Sequence, residues 1–208
     1  KVPDILLIDS GMPIDSYIAK GLFEDLKPYL EADTEIDYNS FMPNIIEAYS
    51  VDGKLYQLIP SFMIRTLVAK TSDVGEEKGW TIDEVKQVLE KKPEGTEFLT
   101  NTTRDNVLNN CIATGDEFID WKTGKCNFDS KEFVSLLEFV KIFPETYDES
   151  VYNEDYWMNY EYMWREGTVL CQEVYLYDFR NYNYVEKGTF GEKITMIGYP
   201  MAEGDGAC

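Results

Sequence analysis

The side chains available for chemistry in this chain of 208 residues are carboxylates, tyrosines, lysines and cysteines, because the sequence contains no histidine. Without an imidazole there is no Ser-His or Cys-His nucleophile pair, no histidine general base and no histidine-ligated metal site. The 39 Asp and Glu residues could supply the two carboxylates of a glycosidase, but sequence spacing does not establish their separation. No G-x-S-x-G, H-E-x-x-H or phosphate-binding G-x-x-x-x-G-K-[ST] motif occurs. We therefore expect a protein that is not an enzyme and carries no cofactor or metal.

Charge and hydropathy exclude two broad classes of partner. With 19 Lys and Arg against 39 Asp and Glu, the formal net charge is −20, so nucleic-acid phosphates would be repelled. The longest purely aliphatic run, Ile5–Ile8, is far shorter than the roughly 18–20 apolar residues of a membrane-spanning helix. Hydrophobic residues make up 44% of the chain, enough for a packed interior. The sequence opens at Lys1 on a strand-like run, which suggests a processed or truncated chain.

The cysteines are widely spaced and do not form a C-x-x-C motif. They are Cys111, Cys126, Cys171 and Cys208. This spacing argues against a tetrahedral zinc site, and a chain of this size does not depend on disulfides. We expect single buried thiols rather than two or more bridges.

Short apolar strands alternate with amphipathic helices along the chain. Strands are predicted at 2–9, 54–59, 64–69, 97–100, 168–174 and 193–199, with a hairpin at 118–128. Helices are predicted at 12–20, 41–49, 81–91, from 103, at 129–143, at 155–165 and at 178–186. Two helices begin with capping-box patterns, Thr81 to Glu84 and Asp129 to Glu132. The alternation predicts an α/β fold with mostly parallel sheets.

Ligands of α/β proteins bind where loops leave the carboxyl ends of strands. The candidates at such ends are Asp9 and Ser10 after the first strand, Phe62 after Pro60, Thr102, Thr103 and Arg104 after the 97–100 strand, and Tyr175, Tyr177 and Asp178 after the 168–174 strand. Asp9, Ser10 and one of the threonines could instead cap helices. The tyrosines could instead pack one face of a strand. Trp157, together with Tyr156, Tyr160 and Trp164 at helical spacing, is expected to pack in the core.

Several stretches, in order along the whole chain, carry a family resemblance. They are P-D-I-L-L-I-D at 3–9, G-L-F-E-D-L-K-P-Y-L at 21–30, D-G-K-L-Y-Q-L-I-P at 52–60, W-T-I-D-E-V at 80–85, F-I-D-W-K-T-G-K at 118–125, R-E-G-T-V-L at 165–170 and I-G-Y-P at 197–200. With them the chain resembles the extracellular solute-binding proteins of bacterial ABC transporters, in the family 1 carbohydrate-binding group that includes maltose-binding protein. The resemblance implies a type II periplasmic-binding-protein fold of two α/β lobes with sugar in the cleft between them.

The resemblance also implies a domain division. Residues 1–60 would form a partial N-terminal lobe, 61–198 the second lobe, and 199–208 the second hinge crossing and the start of a return segment. The family begins with an earlier strand and helix and continues past the second crossing, so the chain is similar to a central piece of such a protein. An incomplete first lobe leaves a sheet edge uncovered, and we expect it to self-associate or to fold with reduced order.

The implied function is delivery of a sugar or oligosaccharide to the permease subunits of an ABC transporter. Aromatic rings would cover the apolar faces of the sugar and planar polar groups would pair with its hydroxyls. Tyr177 would be the aromatic platform, and Phe62 would line the cleft or fill the hinge. The alternatives are a non-sugar ligand, such as a peptide or polyamine, and a surface protein-interaction module. The implied location is extracellular, as a Gram-positive cell-surface lipoprotein whose lipid anchor is absent from this chain, or periplasmic in a Gram-negative bacterium.

Overall fold

A computed structural model of the protein describes residues 3–8, 12–112, 115, 117–120 and 123–201, and the chain divides into two units, residues 1–62 and 63–208. In the first unit the elements are α1 (Ile14–Ala19), α2 (Lys27–Ala32), a 3₁₀ turn (Tyr38–Ser40), α3 (Pro43–Ala48), β1 (Ser50–Val51) and β2 (Lys54–Leu55). The predicted helices at 12–20 and 41–49 are thus confirmed as α1 and α3.

A tight two-residue turn joins β1 to the antiparallel β2. Asp52 and Gly53 both have positive φ, 51° and 76°. A turn of this kind needs two left-handed residues, and the Asp-Gly pair meets that need because Gly has no Cβ and Asp tolerates the conformation. The predicted turn is confirmed, but the predicted strand at 54–59 ends at Leu55.

The prediction of a buried parallel strand over residues 2–9 is wrong for the part that the structure describes. Residues 3–8 form no strand, and the side chains of Ile5 and Leu7 are 90% and 92% exposed. A strand is stable only when neighbours take up its backbone hydrogen bonds and cover its side chains. Among the described residues of this unit, the strands are β1 and β2, which pair with each other.

The second unit is built on one antiparallel sheet. Its strands are β3 (Ile64–Lys70), β6 (Gln172–Leu176) and β7 (Ile194–Met196), in the order β6-β3-β7, and a separate hairpin pairs β4 (Ile119–Asp120) with β5 (Lys125–Cys126). Its helices are α4 (Thr71–Val74), α5 (Ile82–Glu90), α6 (Arg104–Cys111), α7 (Lys131–Val140), α8 (Glu154–Asn159), α9 (Met163–Glu166) and α10 (Phe179–Asn183), followed by a π-helix (Tyr184–Phe190).

Strand direction corrects one detail of the predicted α/β fold. β3 pairs antiparallel with both β6 and β7, so β6 and β7 run parallel to each other on either side of it. A helical connection between two strands predicts that they pair in parallel. Helices do connect β6 to β7, but β3 lies between these two strands in the sheet, so they do not pair with each other. Among the described residues, the parallel pairing is a single bridge between Glu97 and Val169, where a full strand at 97–100 was predicted.

Alternate residues of the sheet face two separate cores. Leu67 and Ala69 of β3 pack with one core, which contains residues of α5, α6 and α7. Val68 packs with the other core, which contains Trp164 of α9, Val185 and Phe190. Successive side chains of a strand point to opposite faces, so helices cover both faces of this sheet. This layering is that of the predicted α/β class.

One of the two predicted capping boxes is present as predicted, the other is displaced by one residue, and segment lengths after residue 153 differ from the prediction. The Thr81–Glu84 capping box is present, and Ser130 rather than Asp129 caps α7 through the amide of Phe133. The predicted helix at 155–165 is broken into α8, a 3₁₀ turn (Tyr160–Tyr162) and α9. The 168–174 strand is shifted to Gln172–Leu176. Within the described ranges, no helix is long and apolar enough to cross a membrane.

Candidate functional site

A pocket of about 420 Å³ opens in the second unit beside β6. Its wall includes Arg65 of β3, Glu173 and Tyr175 of β6, the 99–102 segment and the polar side of α6. A volume of this size is in the range of small-molecule sites, about 300–1,000 Å³. We call it the Glu173 pocket.

The Glu173 carboxylate is the centre of a hydrogen-bonded network. Its Oε1 accepts from Arg65 Nε at 2.7 Å, and its Oε2 accepts from the Tyr199 hydroxyl at 2.5 Å. Asn110 Nδ2 of α6 donates in turn to Tyr199 Oη at 3.1 Å. Arg65 also lies over the ring of Tyr175, with its Cζ 5.5 Å from the ring centroid. The Glu173 carboxylate of β6 therefore bonds directly to β3 and to Tyr199, and Tyr199 links this network to α6.

The network sets the charges in the pocket. Partial burial alone would raise the pKa of Glu173, but the hydrogen bonds from Arg65 and Tyr199 outweigh it and hold that pKa below its usual value. Burial and the hydrogen bond to Glu173 raise the pKa of Tyr199 well above its usual value. At neutral pH the carboxylate is charged and paired with a guanidinium, and the phenol is neutral.

Amide side chains line much of the pocket's length as neutral donors and acceptors. The amides in the wall are Asn101, Asn106, Asn109, Asn110 and Gln172. Gln172 Oε1 is buried and has no hydrogen-bond partner among the described residues. An unpaired buried acceptor is costly, and this oxygen is closed off from the pocket space.

Aromatic residues form the other side of the pocket. Tyr160 and Trp164 line it, with ring centroids 4.8 Å apart in an edge-to-face arrangement. Trp164 Nε1 donates to the carbonyl oxygen of Cys171 at 2.8 Å, which fixes the indole against β6. The pocket thus combines fixed donors and acceptors with aromatic surface. No cluster of three or more Cys, Asp or Glu side chains in the described part of the chain is arranged to hold a metal ion.

The predicted ligand residues are distributed unevenly around this pocket. Thr102 and Tyr175 line it. Thr103 is the N-cap residue of α6, without a side-chain cap hydrogen bond. Arg104 donates from Nη2 to the Phe143 carbonyl at 3.4 Å and is not in the pocket wall, while its buried Nε has no partner among the described atoms.

The other predicted residues lie elsewhere. Tyr177 is 66% exposed and is not in the pocket wall, and Asp178 caps α10 by accepting from the Asn181 amide at 2.8 Å. Phe62 is the last residue of the first unit and is 46% exposed. Asp9 and Ser10 lie outside the described residues. A ligand role for these residues stays a prediction.

Arg65, Glu173, Tyr199 and the α6 amides were not recognised as candidates from the sequence. Glu173 shares a strand face with Tyr175, two residues on, so strand periodicity could have found it. Asn106, Asn109 and Asn110 have the i, i+3, i+4 spacing of one helix face, away from the buried Val107 and Cys111. The expected core packing of Trp157 is wrong, because its side chain is 50% exposed, whereas Trp164 is buried as expected.

Comparisons with known proteins define the fold. No family model matches the chain, and neither does the sequence of any curated protein. Among solved structures, the sugar-binding protein MalE from Xanthomonas citri matches 92% of this chain and 51% of its own length, with 15% identity and a TM-score of 0.54. An ABC transporter solute-binding protein from Thermotoga lettingae, bound with alpha-D-tagatose, matches 91% of this chain and 52% of its own, with 18% identity and a TM-score of 0.47.

The chain therefore has the fold of a type II periplasmic binding protein. The fold class predicted from the sequence, and the resemblance to sugar-binding solute-binding proteins, are confirmed at this level. The chain spans about half the length of the solved structures that it resembles.

Proposed function

We propose that this protein is the substrate-binding component of an ABC transporter and that the Glu173 pocket holds part of a sugar. The observation that carries the proposal is the composition of the pocket: an internally paired Arg65–Glu173 couple, amide side chains, and aromatic surface from Tyr160. A sugar presents hydroxyls to the first two and C–H faces to the third. The structural similarity to the sugar-binding protein MalE supports the same function.

The proposal assigns a role to each part of the chain. Residues 1–60 belong to one lobe, 61–198 to the other, and 199–208 form the second hinge crossing and the start of a return segment. A ligand that contacts both lobes binds the closed form more tightly than the open form and thereby stabilises the closed form. The permease subunits recognise that closed form. The protein acts by binding rather than catalysis, outside the cytoplasmic membrane, as a lipid-anchored surface protein or in the periplasm.

A neutral polar ligand suits the pocket better than a charged one. The carboxylate of Glu173 is already satisfied by Arg65 and Tyr199, so a polyamine gains less from it than from a free carboxylate. Conversely, an anionic ligand would approach a chain of net charge −20. Hydroxyl groups of a neutral ligand can pair with the amide side chains of the wall without bringing a charge into the pocket.

Isothermal titration calorimetry of the 208-residue chain with neutral mono- and oligosaccharides, short peptides and spermidine tests the proposal. We expect heat from at least one sugar and a loss of about tenfold in affinity for Glu173→Gln, because the substitution weakens the charge-assisted hydrogen bonds that hold Arg65 and Tyr199 in the pocket wall. Glu138→Gln, on the exposed side of α7, is the control and should leave binding unchanged. Binding of peptides or spermidine with no response to any sugar would contradict the proposal.

A further inference from the structure

A continuous row of aromatic rings lies beside the Glu173 pocket. We call Tyr147, Tyr152, Tyr156, Trp157 and Tyr160 the aromatic ladder. Ring centroids are 5.3 Å apart for Tyr160 and Trp157, 6.3 Å for Trp157 and Tyr152, and 4.5 Å for Tyr152 and Tyr147. The last two rings are stacked nearly parallel, at 16°.

The ladder and the pocket share residues and hydrogen bonds. Tyr160 belongs to both. The hydroxyls of Thr100, in the pocket wall, and Tyr156, in the ladder, are hydrogen-bonded at 3.0 Å. The Tyr147 hydroxyl donates to Oδ1 of Asn101, another wall residue, whose φ of 55° puts it in the left-handed conformation that Asn tolerates. The outer ring of the ladder is thus fixed to the rim of the pocket.

The ladder combines exposed rings with half-buried ones. Trp164, the inner neighbour of Tyr160, is 2% exposed, while Trp157 and Tyr147 are 50% and 45% exposed. Burial raises the pKa of Tyr152, Tyr156 and Tyr160, so their phenols stay neutral at physiological pH and can pair with hydroxyls. Rings that served only to pack the interior would be covered, as Trp164 is.

The charge around the ladder selects against anions. Residues 147–161 contain no Lys or Arg and five carboxylates: Asp148, Glu149, Glu154, Asp155 and Glu161. A carboxylated or sulfated sugar would be repelled by this segment, while an uncharged sugar ring could stack on Trp157 or Tyr147.

We propose that the aromatic ladder is a second carbohydrate subsite, continuous with the Glu173 pocket, and that the ligand is a neutral oligosaccharide rather than a monosaccharide or an acidic sugar. This inference rests on the proposed function. One sugar unit occupies the pocket, and the following units lie along the exposed rings. Chain length then adds affinity through Trp157 and Tyr147 and not through Glu173.

Titration calorimetry with neutral oligosaccharides of one to five units, together with digalacturonic acid, tests the inference. In the wild-type chain, affinity should rise with the number of units. Trp157→Ala should lower the affinity for the tri- to pentasaccharide by about three- to tenfold, the size of one aromatic contact, and leave a monosaccharide unaffected. Tyr162→Ala is the matched control, because Tyr162 is 52% exposed in the same segment and is in neither the pocket wall nor the ladder.

The outcomes separate the two proposals. If sugars bind but affinity is independent of length, and Trp157→Ala binds like wild type, the subsite is refuted and the proposed function stands. If digalacturonic acid binds more tightly than the neutral sugars, the neutral ligand class is wrong. If no sugar binds and spermidine or a peptide does, the proposed function fails and the ladder inference fails with it.

Discussion

Arg65 and Glu173 form an ion pair on a diagonal of the sheet, with Nε 2.7 Å from Oε1. In the register of β3 and β6, Arg65 lies opposite Tyr175, and Glu173 lies opposite Leu67. Diagonal neighbours on one face of a sheet are within reach of long side chains. Arg65 can therefore pair with Glu173 and lie over Tyr175 at once, which places a carboxylate, a guanidinium and a ring side by side.

The stability difference between wild type and Glu173→Gln should depend on pH in the acid range. The folded-state pKa of Glu173 lies below its ordinary value of 4.5, so its stabilising contribution is fully present above that value and is lost as the pH falls through the folded pKa. Urea denaturation at a series of pH values measures the difference. Glu138→Gln corrects for removal of one negative charge from the chain, and a difference that grew on acidification would contradict the assigned network.

Leu136→Ala should destabilise the second unit by about 2–5 kcal/mol, the cost of emptying a packed core position. Leu136 is 4% exposed in the core that contains Leu67. Val134→Ala, on the same helix but 48% exposed, should change the free energy of unfolding by only about 0.5 kcal/mol. Chemical denaturation of both variants provides the comparison. Equal effects would contradict the placement of Leu136 on the buried side of α7.

Thr81→Ala should cost about 1 kcal/mol of stability, because the Thr81 hydroxyl accepts a hydrogen bond from the Glu84 backbone N–H. The Glu84 carboxylate in turn accepts from the Thr81 backbone N–H. Thr103 is the matched control, since it occupies the N-cap of α6 but makes no side-chain cap hydrogen bond. Thr103→Ala should therefore have little effect. Thermal or urea unfolding distinguishes the two, and a larger loss at Thr103 would disprove this assignment of caps.

Cysteine reactivity should follow burial. Cys111 and Cys171 are buried and Cys126 is exposed. Burial raises the pKa of the Cys111 thiol to about 12 and also raises that of Cys171, so both lack the reactive thiolate near neutral pH. Peptide mapping after brief alkylation of the native protein should find label at Cys126 and none at Cys111 or Cys171. After denaturation all three should react, and native labelling of Cys111 would contradict the packing of α6.

Elements with strong local signals were predictable. The Thr81 capping box and the Asp52–Gly53 turn each depend on contacts within a few residues. The run at 2–9 looked equally strand-like, yet its described part is not a strand, because a strand also needs partners elsewhere in the chain. Burial of Trp157 failed for a related reason, since the helix on which it was placed breaks after Asn159.

The sequence by itself determined the chemical limits of this protein: no imidazole chemistry, a strongly acidic chain, and an α/β succession of elements with a family resemblance. Only the tertiary structure decided which polar residues meet. Arg65, Asn110, Glu173 and Tyr199 are separated by up to 134 positions in the chain numbering. Strand register and helix packing bring them together, and both depend on long-range burial rather than on local sequence.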